Sequence, residues 1–311
     1  MAFYSPDPAM GQHLELLVRA LEQDSRPGLA DQLSITWLRY VPGSSPIGVG
    51  ADLDAKAFWA LPLQGASWNG ARCRYPASVV KLVYLVAAEA WLQADLIPGS
   101  DDLIAALAEM IRDSSNDATG LVVDLLTGTT SGPRLPPEAM AIWHRQRQLV
   151  NQWLQGLGWP ELEGWNACQK TWGDGPQGRE RASYGPAGEN RNRLSTDGVA
   201  RLLHAVMGSA IVSPPACSRM RDLLARSLDP QERSTDPENQ VDGFIGEALG
   251  EGARLWSKAG WMSQARHDAA YVELPADNGV QAHLLVAFSE GRACARDERL
   301  LPELARRLFM R

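Results

Sequence analysis

The sequence predicts an α/β protein of the α+β type, in which an antiparallel sheet flanked by terminal helices carries an inserted all-helical domain. Strand patterns are confined to the two ends of the chain, at residues 33–63 and 253–288. The residues between them carry long helical patterns, and no repeat of roughly 20 to 50 residues is visible. Strands that are far apart in sequence and share one core favour an antiparallel sheet with helices packed against it.

The N-terminal elements are one helix and two strands. Apolar side chains at helical spacing predict a helix over residues 12–21, and a Pro-Gly pair ends it. Residues 33–41 are rich in β-branched and aromatic side chains, which favours a strand. The Pro-Gly-Ser-Ser-Pro sequence of residues 42–46 is typical of a turn, and residues 56–63 are a second candidate strand.

The middle of the chain has helical periodicity. Five helices are predicted there, over residues 78–92, 101–111, 117–126, 140–157 and 196–207. Residues 159–193 are rich in Gly, Pro, Trp and Arg and have no periodicity. Such a long irregular segment favours a functional loop.

The C-terminal elements are three strands, over residues 253–261, 267–274 and 280–288, followed by an amphipathic helix over residues 297–309. This order predicts two domains. Residues 1–75 and 212–311 would form a discontinuous sheet domain, and residues 76–211 a helical domain.

Length, composition and charge restrict the classes of protein to which the chain can belong. The chain has 311 residues, of which 45% are hydrophobic, so a full core is expected. A formal charge of −7 disfavours nucleic acid as a partner. No apolar run reaches the roughly 18 residues that a membrane span needs. The given chain has no signal-peptide pattern, which favours a cytoplasmic location unless a leader has been removed.

Cysteine and histidine spacing indicates neither a metal site nor a cofactor. The four cysteines form no Cys-x-x-Cys pair, and the five histidines form no His-x-x-x-His pair. We therefore expect no metal and no cofactor.

Lysine is scarce in this chain. Only four of the 30 basic residues are lysine: Lys56, Lys81, Lys170 and Lys258. A GC-rich genome accounts for such a bias. The remaining lysines are still informative, because a buried lysine can lose its proton and act as a base, whereas an arginine cannot.

One lysine stands three residues after a serine at the start of a predicted helix. Ser78 and Lys81 face the same way in the first turn. Burial there would lower the pKa of Lys81, so that its amine could accept the proton of the serine hydroxyl. The alternative is a helix-capping serine with a lysine that extends to solvent.

Two further motifs follow in the chain. Ser114-Ser115-Asn116 lies between two predicted helices, and Lys258-Ala259-Gly260 lies on a predicted strand. In a random chain of this composition, all three motifs would occur in this sequence by chance about 1% of the time. Together they favour a nucleophile, a base and polar donors for acyl transfer.

In their order and surroundings, the three motifs resemble those of class A β-lactamases, within the serine β-lactamase and penicillin-binding protein superfamily. The resemblance implies the β-lactamase/transpeptidase-like fold. It also implies catalytic roles, with Ser78 as the acylated nucleophile and Lys81 as its base. Ser114 would relay a proton to the leaving nitrogen, Asn116 would bind the substrate amide, and Lys258 would supply positive charge beside Ser114.

The same resemblance implies a substrate-binding strand edge. Backbone N–H groups of Ser78 and Trp261 would form the oxyanion hole, and Gly260 would let the substrate backbone approach. Ala259 departs from the family pattern, because it lacks the hydroxyl that binds a substrate carboxylate. Recognition of a penicillin-like or D-alanyl carboxylate must then differ.

A glutamate for deacylation is not evident before the Leu194-Ser195-Thr196 turn. Glu180 and Glu189 are the nearest candidates, and a solvated loop charge is the alternative for each. Four arginines in the same segment are interpreted as paired loop charges, with binding of an anionic substrate group as the alternative: Arg179, Arg181, Arg191 and Arg193.

The sequence therefore predicts a metal-free serine hydrolase that forms a Ser78 acyl-enzyme on a small-molecule amide or ester. The substrate would be a β-lactam or a peptidoglycan peptide. Hydrolysis or binding of β-lactams is the leading prediction. A penicillin-binding protein with D-alanyl-D-alanine carboxypeptidase or esterase activity is one alternative, and a non-catalytic binding protein with the same fold is another.

Overall fold

The computed structural model describes residues 3–277 and 279–309. Within them lies one seven-stranded sheet with the order β1-β3-β2-β7-β6-β5-β4. Its strands are β1 Ser5–Pro6, β2 Leu33–Arg39, β3 Gln64–Trp68, β4 Ala225–Arg226, β5 Arg254–Met262, β6 Ala265–Ala276 and β7 Gly279–Glu290. The short β1 pairs parallel to β3, and the other neighbours pair antiparallel.

Helices precede, follow and interrupt the strands. They are α1 Pro8–Gln23, α2 Leu29–Gln32, α3 Ala55–Trp59, α4 Val80–Gln93, α5 Asp101–Arg112, α6 Asn116–Thr127, α7 Pro137–Arg147, α8 Leu149–Gly156, α9 Gly178–Ser183, α10 Thr196–Met207, α11 Pro214–Leu224, α12 Pro230–Thr235, α13 Arg292–Arg296 and α14 Leu300–Phe309. Short 3₁₀ turns include Ala77–Val79, directly before α4.

The predicted fold class is confirmed, and two local predictions are wrong. The strand expected over residues 56–63 is the helix α3, because the Asp54 side chain caps it by accepting from the Ala57 N–H. The strand begins only at Gln64. The single helix expected over residues 140–157 is two helices that meet at Gln148, which lies at φ −85° and ψ 0°. The two-domain division stays a prediction.

Alternating side chains on the central strands build two separate cores. On β7, Leu284 and Val286 face a core that contains α4 and α10, whereas Leu285 and Ala287 face a core formed with α1 and α14. Successive residues of a strand point to opposite faces, so one sheet can bury both. The terminal helices thus cover one face, and the inserted helices cover the other.

Helix α4 runs through the middle of the larger core. Eleven of its 14 residues are buried, as expected of a helix that is apolar on all sides. One of them is Lys81, whose side chain is fully buried. The fold therefore places a basic group where water cannot solvate it.

Arg74 joins the segment before α4 to the centre of the sheet. It is 3% exposed, and its guanidinium donates to Ser34 Oγ at 2.8 Å and Glu290 Oε2 at 2.6 Å. It also donates to the backbone oxygens of Asp31 at 2.7 Å and Leu33 at 3.0 Å. This residue fixes the chain four residues before Ser78.

We expect Arg74→Met to lower the free energy of unfolding by about 2–3 kcal/mol, because several buried acceptors lose their donor. Denaturant unfolding followed by circular dichroism measures the loss. Arg72→Met is the matched control, since Arg72 is exposed and donates only to the backbone oxygen of Asp31. Equal losses in both variants would contradict the role of Arg74.

Candidate active site

Ser78 lies in the 3₁₀ turn that opens into α4. The preceding Ala77 has a φ of +46°, a left-handed conformation that is strained for a residue with a Cβ. Gly260 on β5 packs against this turn, and a Cβ there would lie 2.9 Å from Ser78 N and 3.0 Å from Pro76 O. Only glycine permits this approach, so the third sequence motif is held directly against the first.

Lys81 extends from the first turn of α4 to the turn between α5 and α6. Its Nζ donates to the backbone oxygen of Ser114, to Ser114 Oγ at 3.1 Å and to Asn116 Oδ1 at 3.0 Å. No described residue forms a salt bridge with it. Burial lowers the pKa of Lys81 to about 7. A large fraction of this amine is therefore unprotonated at neutral pH, as a general base requires.

Ser114 lies between the two lysines. Its backbone is in the left-handed region at φ +56°, and its Oγ accepts from Lys81 Nζ at 3.1 Å and from Lys258 Nζ at 3.0 Å. A hydroxyl oxygen that accepts two N–H groups keeps its own proton available to donate elsewhere. Ser114 is thus arranged to pass a proton onward.

Lys258 is fully buried at the centre of β5. Its Nζ also donates to Gln240 Oε1 at 2.5 Å and to the backbone oxygen of Ala259 at 2.8 Å. Burial and the nearby Lys81 amine both lower the pKa of Lys258 well below its usual value. Two amines that share one hydroxyl cannot both hold a full charge without cost.

Gln240 and Arg226 hold the α5–α6 turn against β5, and the sequence patterns did not single out either residue. The Gln240 amide donates to the backbone oxygens of Ile111 at 3.0 Å and Arg112 at 2.7 Å. Arg226 donates to the same two oxygens. These oxygens end α5, where a helix lacks internal donors. Both side chains therefore fix the position of Ser114 relative to Lys258.

Asn116 is the first residue of α6, and the preceding Ser115 caps that helix by accepting from the Ala118 N–H at 3.1 Å. Asn116 lines a recess of about 830 Å³ on the outer side of the turn. The amide oxygen of Asn116 thus contacts Lys81, and the residue also borders the recess. This position suits a group that binds the amide of a substrate.

The strand edge beyond Lys258 contains Ala259, Gly260 and Trp261. Ala259 is 4% exposed and packs in the core of the terminal helices, so it offers no donor to the cleft. Trp261 is 61% exposed, and its indole N–H donates to the backbone oxygen of Ala295 at 2.9 Å. The large exposed ring forms a surface beside Gly260.

His267 fixes the segment that leads to Ser78. Its Nδ1 accepts from the Ser289 N–H at 3.0 Å, so its Nε2 donates to the backbone oxygen of Tyr75 at 2.9 Å. Burial lowers the pKa of His267 to about 4, and the ring is neutral at physiological pH. It supports the nucleophile segment and does not exchange protons with the two lysines.

The two glutamates proposed for deacylation bind other partners than the lysine pair. Glu180 is fully buried, and its Oε1 accepts from Arg147 Nη2 and Ser131 Oγ at 2.5 and 2.7 Å. It is therefore not the solvated loop charge of the alternative interpretation. Glu189 is exposed and accepts from the Ala187 N–H at 2.8 Å. Among the described hydrogen bonds and salt bridges, neither glutamate contacts Lys81.

Glu180 belongs to a charge network beside α6. Lys170 Nζ donates to Asp124 Oδ2 at 2.6 Å and to Ser131 Oγ at 2.8 Å, and Arg147 bridges Asp124 and Glu180. The network pairs two positive with two negative members, while within the described residues Arg147 Nη1 and Glu180 Oε2 have no hydrogen-bond partner. It holds the loops on the outer wall of the cleft.

Neither a metal centre nor a membrane span is found in the described part of the chain. No group of three or more His, Cys, Asp or Glu side chains there could hold a metal ion. No helix among these residues is both long and apolar enough to cross a bilayer.

Solved structures with a similar fold cover nearly the whole chain. PBP-A aligns with a TM-score of 0.60 and 17% identity, covering 98% of this chain and 96% of PBP-A. A β-lactamase from Sphaerobacter thermophilus aligns with a TM-score of 0.57 and 18% identity over 95% of both chains. A β-lactamase from Xanthomonas campestris gives 0.58 and 16%, covering 95% and 97%. At this identity the likeness shows the fold alone.

The sequence itself identifies the family. No curated protein matches the chain. The family model described as "Beta-lactamase enzyme family" matches residues 100–310, which is more than half of the chain. Together with the shared fold, this match shows that the chain belongs to the β-lactamase enzyme family.

Proposed function

We propose that this protein is a serine acyl hydrolase in which Ser78 is the nucleophile and Lys81 the base that activates it. The observation that carries the proposal is the convergence of two buried lysine amines on Ser114, next to the turn that bears Ser78. Neither amine forms a salt bridge with a described residue. A site built only for stability would neutralise its buried cations with carboxylates.

In the acylation step, Ser78 Oγ attacks the carbonyl carbon of an amide or ester, and the hydroxyl proton moves to the neutral Lys81 amine. The negative charge on the carbonyl oxygen would be stabilised by backbone N–H groups of Ser78 and Trp261. As the tetrahedral intermediate collapses, Ser114 donates its proton to the leaving nitrogen and receives one from Lys81. Lys258 orients Ser114 by donating to its Oγ, and Asn116 binds the substrate amide.

The acyl-enzyme is expected to be long-lived. Water attacks an acyl-enzyme ester fast only when a base is positioned to accept its proton. Glu180 is bound to Arg147 and Ser131, and Glu189 lies in an exposed loop. Behaviour as a penicillin-binding protein is therefore favoured over rapid β-lactam turnover. A similar fold has been observed as the acyl-enzyme of a PBP-A variant with penicillin G.

Two observations bear on the natural substrate. Ala259 leaves the cleft without a hydroxyl at the third motif, so the leaving group need not carry the D-alanyl carboxylate. D-Alanyl-D-alanine carboxypeptidase activity and esterase activity both remain compatible with the site. A non-catalytic binding protein is disfavoured because it would have no use for an unpaired amine with a pKa of about 7.

Lys81→Arg is expected to abolish acylation while leaving the fold intact. Arginine keeps its proton and cannot accept one from Ser78. The measurement is labelling with a fluorescent penicillin followed by intact mass, with Ser78→Ala as the unreactive reference. Lys56→Arg is the matched control, since Lys56 is exposed. Normal labelling of Lys81→Arg, or of Ser78→Ala, contradicts the proposed roles.

The acylation rate is expected to rise with pH through the pKa of Lys81. The base acts when neutral, and its pKa is about 7, so the rate increases roughly tenfold per pH unit below 7 and levels off above it. Labelling with the fluorescent penicillin is stopped after a series of times at pH values between about 5.5 and 8.5, which gives the second-order rate constant at each pH. A rate that is constant or falls over this range would show that Lys81 is not the base.

Glu180→Gln is expected to reduce stability and to leave deacylation unchanged. The variant weakens a buried ion pair with Arg147, at a cost of about 1–3 kcal/mol in the free energy of unfolding. Loss of the penicillin adduct, followed by mass over time, should stay within about twofold of wild type. Glu189→Gln is the exposed control for both readouts. A tenfold or greater slowing in either variant would identify that residue as the deacylation base.

A further inference from the structure

A second recess, of about 410 Å³, adjoins the recess beside Asn116 and shares Trp172, Gly173 and Gly175 with it. Its walls come from the segment before Ser78, the end of β5 and the long loop that includes α9. The side chains that matter for its chemistry are Tyr75, Trp172, Arg181, Tyr184, Arg191 and Met262. The lining thus combines three aromatic rings with two guanidinium groups.

Chain geometry places this recess within reach of an acyl group bound to Ser78. Tyr75 precedes Ser78 by three residues, which span at most roughly 11 Å. Met262 follows Gly260 by two residues on β5, about 7 Å along the strand. Gly260 itself packs against the Ser78 backbone. A substituent a few bonds from the reacting carbonyl would therefore reach the recess.

Two guanidinium groups line the recess. Neither Arg181 nor Arg191 forms a salt bridge with any described residue. The Glu189 carboxylate lies at the rim, where it accepts from the N–H of the lining residue Ala187. The Arg191 guanidinium stacks on the Tyr75 ring at 4.1 Å. Stacking fixes the guanidinium plane while leaving its edge open to a planar acceptor. This interaction replaces the paired loop charge that the sequence favoured for Arg191.

Two buried donors in the lining also lack acceptors. Within the described part of the chain, Arg191 Nε and Trp172 Nε1 have no hydrogen-bond partner. Buried donors are nearly always paired, so both side chains gain a hydrogen bond if they turn towards an acceptor bound in the recess. A carboxylate supplies two planar oxygens and binds a guanidinium through parallel hydrogen bonds.

The neighbouring recess beside Asn116 differs in its charged side chains. It shares Trp172 with the arginine-lined recess, and its lining includes Asp117 and Asp174. Lys170 Nζ donates to Ser131 Oγ in its wall, so both signs of charge are present there. The arginine-lined recess is therefore the better site for an acidic acyl group.

We propose that the arginine-lined recess binds a carboxylate carried by the acyl group of the substrate, with Arg181 and Arg191 as its ligands and the aromatic rings packing against the adjoining apolar part. This proposal rests on the proposed function, because it assigns the acyl group that Ser78 accepts. The preferred substrates are amides or esters of acyl groups that bear a carboxylate close to the reacting carbonyl.

The test compares benzylpenicillin with its α-carboxy derivative, which differ by one carboxylate on the acyl side chain. The second-order rate constant for Ser78 labelling should be at least about tenfold higher for the α-carboxy compound. Arg191→Gln and Arg181→Gln should each reduce this ratio towards one. Arg193→Gln, in the same loop but outside the recess, is the charge-matched control and should keep the wild-type ratio.

Binding without acylation separates this proposal from the proposed function. Phenylmalonate and phenylacetate, which correspond to the two acyl groups, are titrated into Ser78→Ala and followed by NMR shifts of the Trp172 indole N–H. Tighter binding of phenylmalonate, lost in the Arg191→Gln background, supports the recess even if no penicillin labels Ser78. Equal binding of both acids, or a preference that persists in Arg191→Gln, overturns it. Labelling by both penicillins at equal rates overturns it as well, while leaving the nucleophile assignment intact.

Discussion

The organisation of this protein depends on the burial of two lysine amines that share one serine hydroxyl. Lys81 and Lys258 come from a helix and a strand that lie 177 positions apart, and both reach Ser114. Burial lowers the pKa of Lys81 to about 7, and burial together with the Lys81 amine lowers the pKa of Lys258 well below its usual value. Helix α4 is buried on nearly all sides and β5 lies between β4 and β6, so both lysine side chains are shielded from water.

The surrounding structure compensates for an unfavourable site. Ala77 and Ser114 both have left-handed backbone conformations, and glycine alone permits the contact between β5 and the Ser78 turn. Stabilisation comes from neighbouring groups that are not reactive themselves. Arg74 anchors the nucleophile segment to the sheet, and Gln240 with Arg226 binds the carbonyl end of α5. Hydrogen bonds of the surrounding residues thus stabilise these strained backbone conformations.

A network of ion pairs holds the outer wall of the cleft. Arg147 and Lys170 bind the carboxylates of Glu180 and Asp124. These ion pairs join α6 and α7 to the loop that carries α9. The two recesses beside this wall share Trp172 and differ in their charged side chains, Asp117 and Asp174 in one and Arg181 and Arg191 in the other.

The sequence by itself determined the residue types that chemistry requires and the elements that carry them. Scarce lysines at helix and strand positions, serines at helix starts and the apolar period of each element are local properties, and they predicted α10 over its observed bounds of Thr196–Met207. Only the tertiary structure decided the partners of the charged groups. The contacts of Gln240 with Ile111, of Arg74 with Glu290 and of Glu180 with Arg147 join residues 33 to 216 positions apart. Local patterns carry no information about such pairs, because a charged side chain in a loop has the same sequence signature whether it is solvated or buried against a partner.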